Sequence, residues 1–266
     1  MFNLLRMDLR RLFRSRSFYI LLAVMAGLIL LVGALTGTMS DESFLDRMEA
    51  EGAEISEYDR RQGEEIREMS QLAFTGECLQ SGFLLIMVGI GVTLFVQGDF
   101  SSGYIKNICF ARPRRREYVC SKILTAGVYS GLLTVWGVLF SLAAPRLFGL
   151  CPSPDAVPAL LQYTFWLWLS SWAFGLMGLA LVLLTRSGTL GIVLSSAAGG
   201  GVTAALTGGL RQLLHWPPLE QYLLSAVVKG IHVPGNGTEG MLLACTLGWA
   251  AVYGVGSLLS IEKRDI

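Results

Sequence analysis

Six stretches of this chain carry no Asp, Glu, Lys or Arg: Ser17 to Ser40, Cys78 to Gly98, Ile123 to Pro145, Ala156 to Thr185, Ser187 to Leu210 and Gly240 to Ile261. A helix rising about 1.5 Å per residue needs roughly 20 residues to cross a hydrocarbon core of about 30 Å, and each stretch is near that length. With 53% of 266 residues hydrophobic and gathered in these blocks, too little polar sequence remains to cover a soluble core. Backbone in lipid must satisfy its own N–H and C=O groups, and the blocks lack the period-2 alternation of barrel strands. The expected fold is all-α: one transmembrane domain over 1–266 with spans at 17–40, 78–98, 123–145, 156–185, 187–210 and 240–261. The first block follows basic residues, as a secretory signal would, but it is too long for one and no small-x-small cleavage site follows, so it reads as a retained span.

The two signs of charge are segregated along the chain. Arg6, Arg10, Arg11, Arg14 and Arg16 precede the first span, whereas the 41–77 loop holds 12 acidic residues against four arginines. Basic flanks stay in the cytoplasm. Alternation then puts Lys106, Arg112, Arg114, Arg115, Arg116, Lys122, Arg186, Lys263 and Arg264 on the same side, 14 of the 21 basic residues in all, with 15 of the 20 acidic residues opposite. Both termini are expected in the cytoplasm, and 41–77 and 211–239 outside.

Ahead of the first span, Phe2, Leu5, Leu9, Leu12 and Phe13 recur at helical spacing, with Arg6, Arg10 and Arg14 on another face. This predicts an interfacial helix over 1–16 whose arginines, together with Arg11, Arg112, Arg114, Arg115 and Arg116, meet anionic headgroups. The acidic 41–77 loop reads as a solvated helical excursion or a partly disordered segment, without the ligand spacing of a calcium loop. The small-xxx-small pairs Ser171 and Gly175, in the fourth span, and Ser195 and Gly199, in the fifth, are expected to pack helices closely. Five cysteines show no metal-ligand spacing, and a Cys78 to Cys151 disulfide is left open.

The connection at 99–122 carries the functional signal. Phe100, Tyr104, Ile105 and Ile108 fall on one face of a short helix that Asp99 or Ser101 could cap and Pro113 would stop. Gly103 inside it costs about 1 kcal/mol relative to alanine, which close approach by another chain would explain.

The run Asp99-Phe100-Ser101-Ser102-Gly103-Tyr104-Ile105-Lys106-Asn107-Ile108, with Arg112-Pro113-Arg114-Arg115, Tyr118 and Lys122 after it, resembles the loop following the second span of type-2 ATP-binding-cassette (ABC) permeases. The ending Glu262-Lys263-Arg264-Asp265-Ile266 is similar to the usual C-terminus of that family. Asp99 and the serine pair depart from the glutamate and Gly-Thr pattern frequent there. The resemblance implies a transmembrane subunit of a bacterial cell-membrane exporter, paired with a second permease subunit, identical or homologous, and with two separate ATPase subunits that bind ATP and Mg. It implies that Phe100, Ser101, Ser102, Gly103, Tyr104, Ile105, Lys106, Asn107 and Ile108 form the ATPase-coupling segment. Small members with this style of loop resemble export or immunity systems for antimicrobial peptides.

The chain itself has no GxxxxGK[ST] phosphate loop, so no cofactor and no ATP site of its own is expected. The six blocks contain no ionisable Asp, Glu, Lys, Arg or His, which disfavours ion coupling. His215 and His232 lie without an H-E-x-x-H motif, and no catalytic residue, metal ligand or nucleic-acid contact is expected. A membrane sensor or immunity protein that binds a ligand at its acidic outer loop without transport is the alternative reading.

Overall fold

A computed structural model describes residues 2–105, 112–150, 152–214, 219–231 and 239–263. The helices are α1 (Phe2–Arg14), α2 (Arg16–Ser40), α3 (Glu42–Ala50), α4 (Glu57–Glu68), α5 (Gln71–Gln80), α6 (Phe83–Ser101), α7 (Arg112–Leu147), α8 (Val157–Thr185), α9 (Gly188–Gly199), α10 (Val202–Leu214), α11 (Leu224–Lys229) and α12 (Glu239–Lys263), with a 3-10 turn at Leu219–Tyr222. Among the described residues β pairing is limited to an isolated bridge between Ser70 and Ser153. Five helices among the described residues, α2, α6, α7, α8 and α12, are long and apolar enough to cross a membrane. The pair α9 and α10 makes a sixth if counted as one span, although it bends by 63° at Gly200 and Gly201. Gly201, at φ +87°, supplies the left-handed residue that the bend needs.

The centre of the bundle is α8, which packs against α6, α7, α9 and α12. Apolar side chains gain little by leaving lipid tails for a helix surface, so close van der Waals fit and interhelical hydrogen bonds must hold such a bundle. Small residues supply the fit. A Cβ on Gly89 of α6 would come within 2.9 Å of Ser195 Cβ on α9, and one on Gly175 of α8 would sit 3.1 Å from Val88 of α6. Gly199 abuts Ile86 in the same way. The Ser171 and Thr134 hydroxyls share a hydrogen bond of 3.2 Å between α8 and α7. The indole N–H groups of Trp168 and Trp172 donate to the carbonyls of Gly127 and Ile123 on α7, at 2.9 and 3.0 Å. Conversely, Ile20, Leu31 and Leu35 of α2 and Leu247, Val252 and Val255 of α12 face outward. An apolar surface of that kind suits lipid rather than water.

The second block is divided differently from the expectation. Cys78 to Gln80 end α5, and the chain reverses at Ser81 and Gly82 before α6 begins at Phe83. Gly82 has φ +94°, and a Cβ there would collide with the Gly199 carbonyl oxygen, so the break is built on glycine. The corner falls at Gln80, Ser81 and Gly82, polar and small residues without charge, so a block defined by the exclusion of Asp, Glu, Lys and Arg runs through it. Cys78 is a buried free thiol, pushed up to about 12 by burial and by the nearby Glu77 charge. Cys151 lies outside the described residues.

The acidic loop is a helical hairpin. Asp41 caps α3 by accepting from the Ser43 N–H, and Ser56 and Asp59 form a reciprocal capping box at the start of α4. Those bonds to Ser56 hold the Asp59 carboxyl below its ordinary range. Arg60 of α4 reaches Asp46 (3.0 Å) and Glu49 (2.7 Å) of α3. Arg67 of α4 reaches Glu42 (2.9 Å). Gly63 lets α4 lie against the end of α2, where a Cβ would approach the Met39 carbonyl to 2.8 Å.

The Gly82 corner gives a test of the packing. Gly82→Val adds a strained φ and a collision with α9, and should lower stability by about 2–4 kcal/mol. Gly27→Val, where a Cβ would meet nothing within 4 Å, should change the melting temperature of the detergent-solubilised protein little.

Candidate functional site: a buried ion cluster joining three helices

The end of the bundle that carries α1 holds four charged side chains in one cluster. Lys122 of α7 places Nζ 2.7 Å from Asp8 Oδ1 of α1 and 2.7 Å from Asp99 Oδ2 of α6. Arg11 of α1 places Nη1 2.6 Å from Asp99 Oδ1, at ion-pair distance although the angle is poor for a hydrogen bond. The Tyr118 hydroxyl donates to Asp99 Oδ2 at 2.8 Å, and the Ser121 hydroxyl donates to Asp8 Oδ2 at 2.6 Å. Lys122 Nζ also lies 4.3 Å from the centre of the Phe95 ring, and the Arg11 guanidinium 4.8 Å from that of Tyr104.

Local structure explains how the residues meet. On α1, Asp8 and Leu12 are one helical turn apart and both face the bundle. On α7, Tyr118 and Lys122 are likewise i and i+4, with Ser121 beside them, so one face offers an ammonium and two hydroxyls. Asp99 lies in the last turn of α6, where the carbonyl ends of the helix disfavour an acid by about 0.3–1 kcal/mol. Two cations and a tyrosine hydroxyl offset that.

The formal charges of Asp8, Asp99, Arg11 and Lys122 cancel. This matters because the side chains of Asp99 and Lys122 are 0% exposed and that of Asp8 is 3% exposed. An isolated ion taken out of water costs several kcal/mol, so each member is tolerable only with its partners in place. Burial alone would lower the Arg11 pKa, but the Asp99 carboxylate outweighs it and the net direction is up. Tyr104 is pushed up by burial first and then by the Asp8 and Asp99 charges.

The expected coupling segment is arranged differently from a single helix. Phe100 and Ser101 finish α6, and Ser102 and Gly103 make a turn with Gly103 at φ +67°. The Ser102 N–H donates to the Gly98 carbonyl at 3.1 Å, and the Gly103 N–H to that of Phe100 at 3.2 Å, closing the helix C-terminus. Gly103 is thus the residue that ends a helix, not a costly residue inside one. Asp99 caps nothing, because its carboxylate is committed to the cluster, and Ser101 bonds back to Gly98. Pro113 does not stop a helix: it sits in the first turn of α7, where its missing N–H has no helical partner to lose. Phe100 and Tyr104 pack partly against the core and Ile105 is buried, while Ser101 and Ser102 are exposed. The apolar side of this segment therefore faces its own bundle. Lys106, Asn107 and Ile108 lie outside the described residues.

Of the basic residues assigned to a membrane surface, Arg6, Arg10 and Arg14 are exposed on α1, whereas Arg11 belongs to the cluster. Arg115 donates to the Ile261 carbonyl near the end of α12 at 3.2 Å, and Arg116 is exposed. The side chains of Arg112 and Arg114 lie outside the described residues, as do His215, His232 and residues 264–266. Reading the sequence missed Asp8, Tyr118, Ser121 and Lys122 as a set. One signal was available: Asp8 is the single acid in the first 40 residues, four before Leu12 on the face that buries. Among the described residues no group of three His, Cys, Asp or Glu could hold a metal ion. No protein-family model and no curated protein matches the chain.

Lys122→Met leaves two buried carboxylates with one cation, and should cost about 3–5 kcal/mol. Asp8→Asn combined with Lys122→Met restores neutrality, so the double variant should melt above the Lys122→Met variant in detergent. A double-variant loss equal to the sum of the two single losses would show that the two residues are not coupled.

Proposed function

We propose that this chain is the transmembrane permease subunit of an ABC exporter in the bacterial cell membrane, with α1 and both termini cytoplasmic. It works with two ATPase subunits, which bind the ATP and Mg, and with a second permease subunit. The observation that carries this reading is the ion cluster, because it fastens the turn after α6 to α1 and α7. A push on Ser101 to Gly103 is then delivered to three helices at once, which is what a subunit driven by an external ATPase requires. The chain has no phosphate loop, so a motor must be supplied by another subunit. The basic, exposed face of α1 suits an anionic cytoplasmic leaflet, and the loop motif around Gly103 supports the same assignment. A peptide, antimicrobial or lipid-like substrate moving outward fits the resemblance.

The contact offered to the ATPase is the polar turn at Ser101 and Ser102, with Tyr104 behind it. Ser102→Trp should reduce recovery of a co-purified ATPase subunit at least tenfold at normal permease expression, while Ser56→Trp in the α3–α4 hairpin should not. Recovery of no ATPase with the unaltered chain, or full recovery with Ser102→Trp, would count against the reading and favour a sensor that works without a motor. In a background lacking the native cysteines, Ser56→Cys should react with an impermeant thiol reagent added to intact cells and Ser187→Cys should not. The reverse pattern would invert the orientation.

A further inference from the structure

A cavity of about 290 Å³ lies at the end of the bundle away from the ion cluster. It is lined by Leu72, Gly76, Glu77 and Gln80 of α5, by Tyr163 of α8 and by Ile231 after α11. Tyr163 is 3% exposed, and its hydroxyl lies beside the Gln80 side chain, which offers it an acceptor in Oε1 although the angle or distance is poor for a full hydrogen bond. With its O–H turned to Gln80, the phenol oxygen still has lone pairs free to accept a hydrogen bond from an occupant. The absence of a side chain at Gly76 keeps the space open: a Cβ there would sit 3.4 Å from Gln80 Oε1 and 3.7 Å from the Tyr163 hydroxyl oxygen.

The polar groups share one character. Gln80 donates through Nε2 to the Ile231 carbonyl, which turns its Oε1 toward Gly76 and Tyr163. Glu77 adds a carboxylate at the exposed rim, with no cation at ion-pair distance among the described residues. The carboxylate, the amide oxygen and the phenol oxygen can each accept, the phenol O–H itself turning to Gln80 Oε1, and the described lining holds no Lys or Arg to compete. Leu72 and Ile231 form apolar walls beside them. We infer that this cavity is a binding site for an organic cation, a guanidinium or ammonium group on a short apolar stem, held by Glu77, Gln80 and Tyr163. A single carboxylate is too little for a metal ion, whereas a planar, donor-rich cation matches three acceptors around an apolar slot. The site stands apart from any ATPase: it needs neither the ion cluster nor the turn after α6.

The test uses the full chain in lipid nanodiscs and two probes, N-acetyl-arginine amide and N-acetyl-citrulline amide, which differ mainly in charge. In titrations followed by saturation-transfer NMR, the arginine probe should bind at least tenfold more tightly than the citrulline probe. Glu77→Gln should weaken it at least tenfold and Tyr163→Phe about threefold. Gly76→Leu fills the slot without altering any charge and should abolish binding. Retained binding in Gly76→Leu would mean that the probe is held only by the field of the acidic α3–α4 hairpin, and would overturn the site. Equal binding of both probes, or none of the arginine probe at millimolar concentration, would do the same. Should Gly76→Leu fail to fold, Tyr163→Phe decides, since it removes one buried oxygen and unchanged affinity would refute the role given to it.

Discussion

Four charges, three of them held away from water, cancel one another at the point where α1, α6 and α7 meet, and the arrangement of that end of the protein follows from the need to keep them together. Lys122 bridges Asp8 and Asp99, so drawing it away would take from Asp8 the cation at ion-pair distance. Arg11 then balances the second acid. Such a cluster contributes little net stability compared with an apolar core, because desolvation consumes most of the attraction. What it contributes is registry: α1 can dock in one position only, and the turn at Ser102 and Gly103 inherits that position from Asp99 three residues earlier.

The rest of the bundle relies on shape. Glycines and serines on α6, α8 and α9 let backbones approach until side-chain atoms touch across the gap, and the Gly82 corner presses on the Gly199 carbonyl without room for a Cβ. Rigid contacts of this kind contrast with the 63° bend between α9 and α10. One end of the protein is thus tied by charge, and its middle by van der Waals fit. The acidic hairpin is held to the end of α2 by Arg67, whose Nε donates to the Ser40 carbonyl, and by the close approach at Gly63.

Hydropathy alone located the long apolar helices, because length and the exclusion of charge are local properties that lipid imposes. It placed the second span too early, at Cys78, since the corner at Gln80, Ser81 and Gly82 carries no charge to interrupt the block. Asp99 and Gly103 were visible as unusual residues, but their roles were misread for a shared reason. A short-range pattern offers a cap or a helix interior, whereas Asp99 finds Lys122 and Arg11 from distant helices. The stripe of Leu5, Leu9 and Leu12 on α1 was legible as amphipathic, but the aspartate on its edge acquires meaning only when α7 is beside it. Tyr163 is the same case at the other end: nothing near it in sequence shows that α5 leaves its hydroxyl facing an open space.

The distance along the chain between the cluster's members sets an order of assembly. Asp8 precedes Lys122 by 114 residues, and Asp99 lies between them. At about 5–20 residues per second, a ribosome needs roughly 6–20 s to cover that interval. During it Asp8 of the first helix has no lysine to pair with, and until α6 is made Arg11 has no Asp99, so that face of α1 stays in water or among headgroups. Arrival of α7 ends the wait and closes the cluster. A chain that stops short of the third long helix therefore carries Asp8 without Lys122, the lysine at ion-pair distance from it in the finished fold.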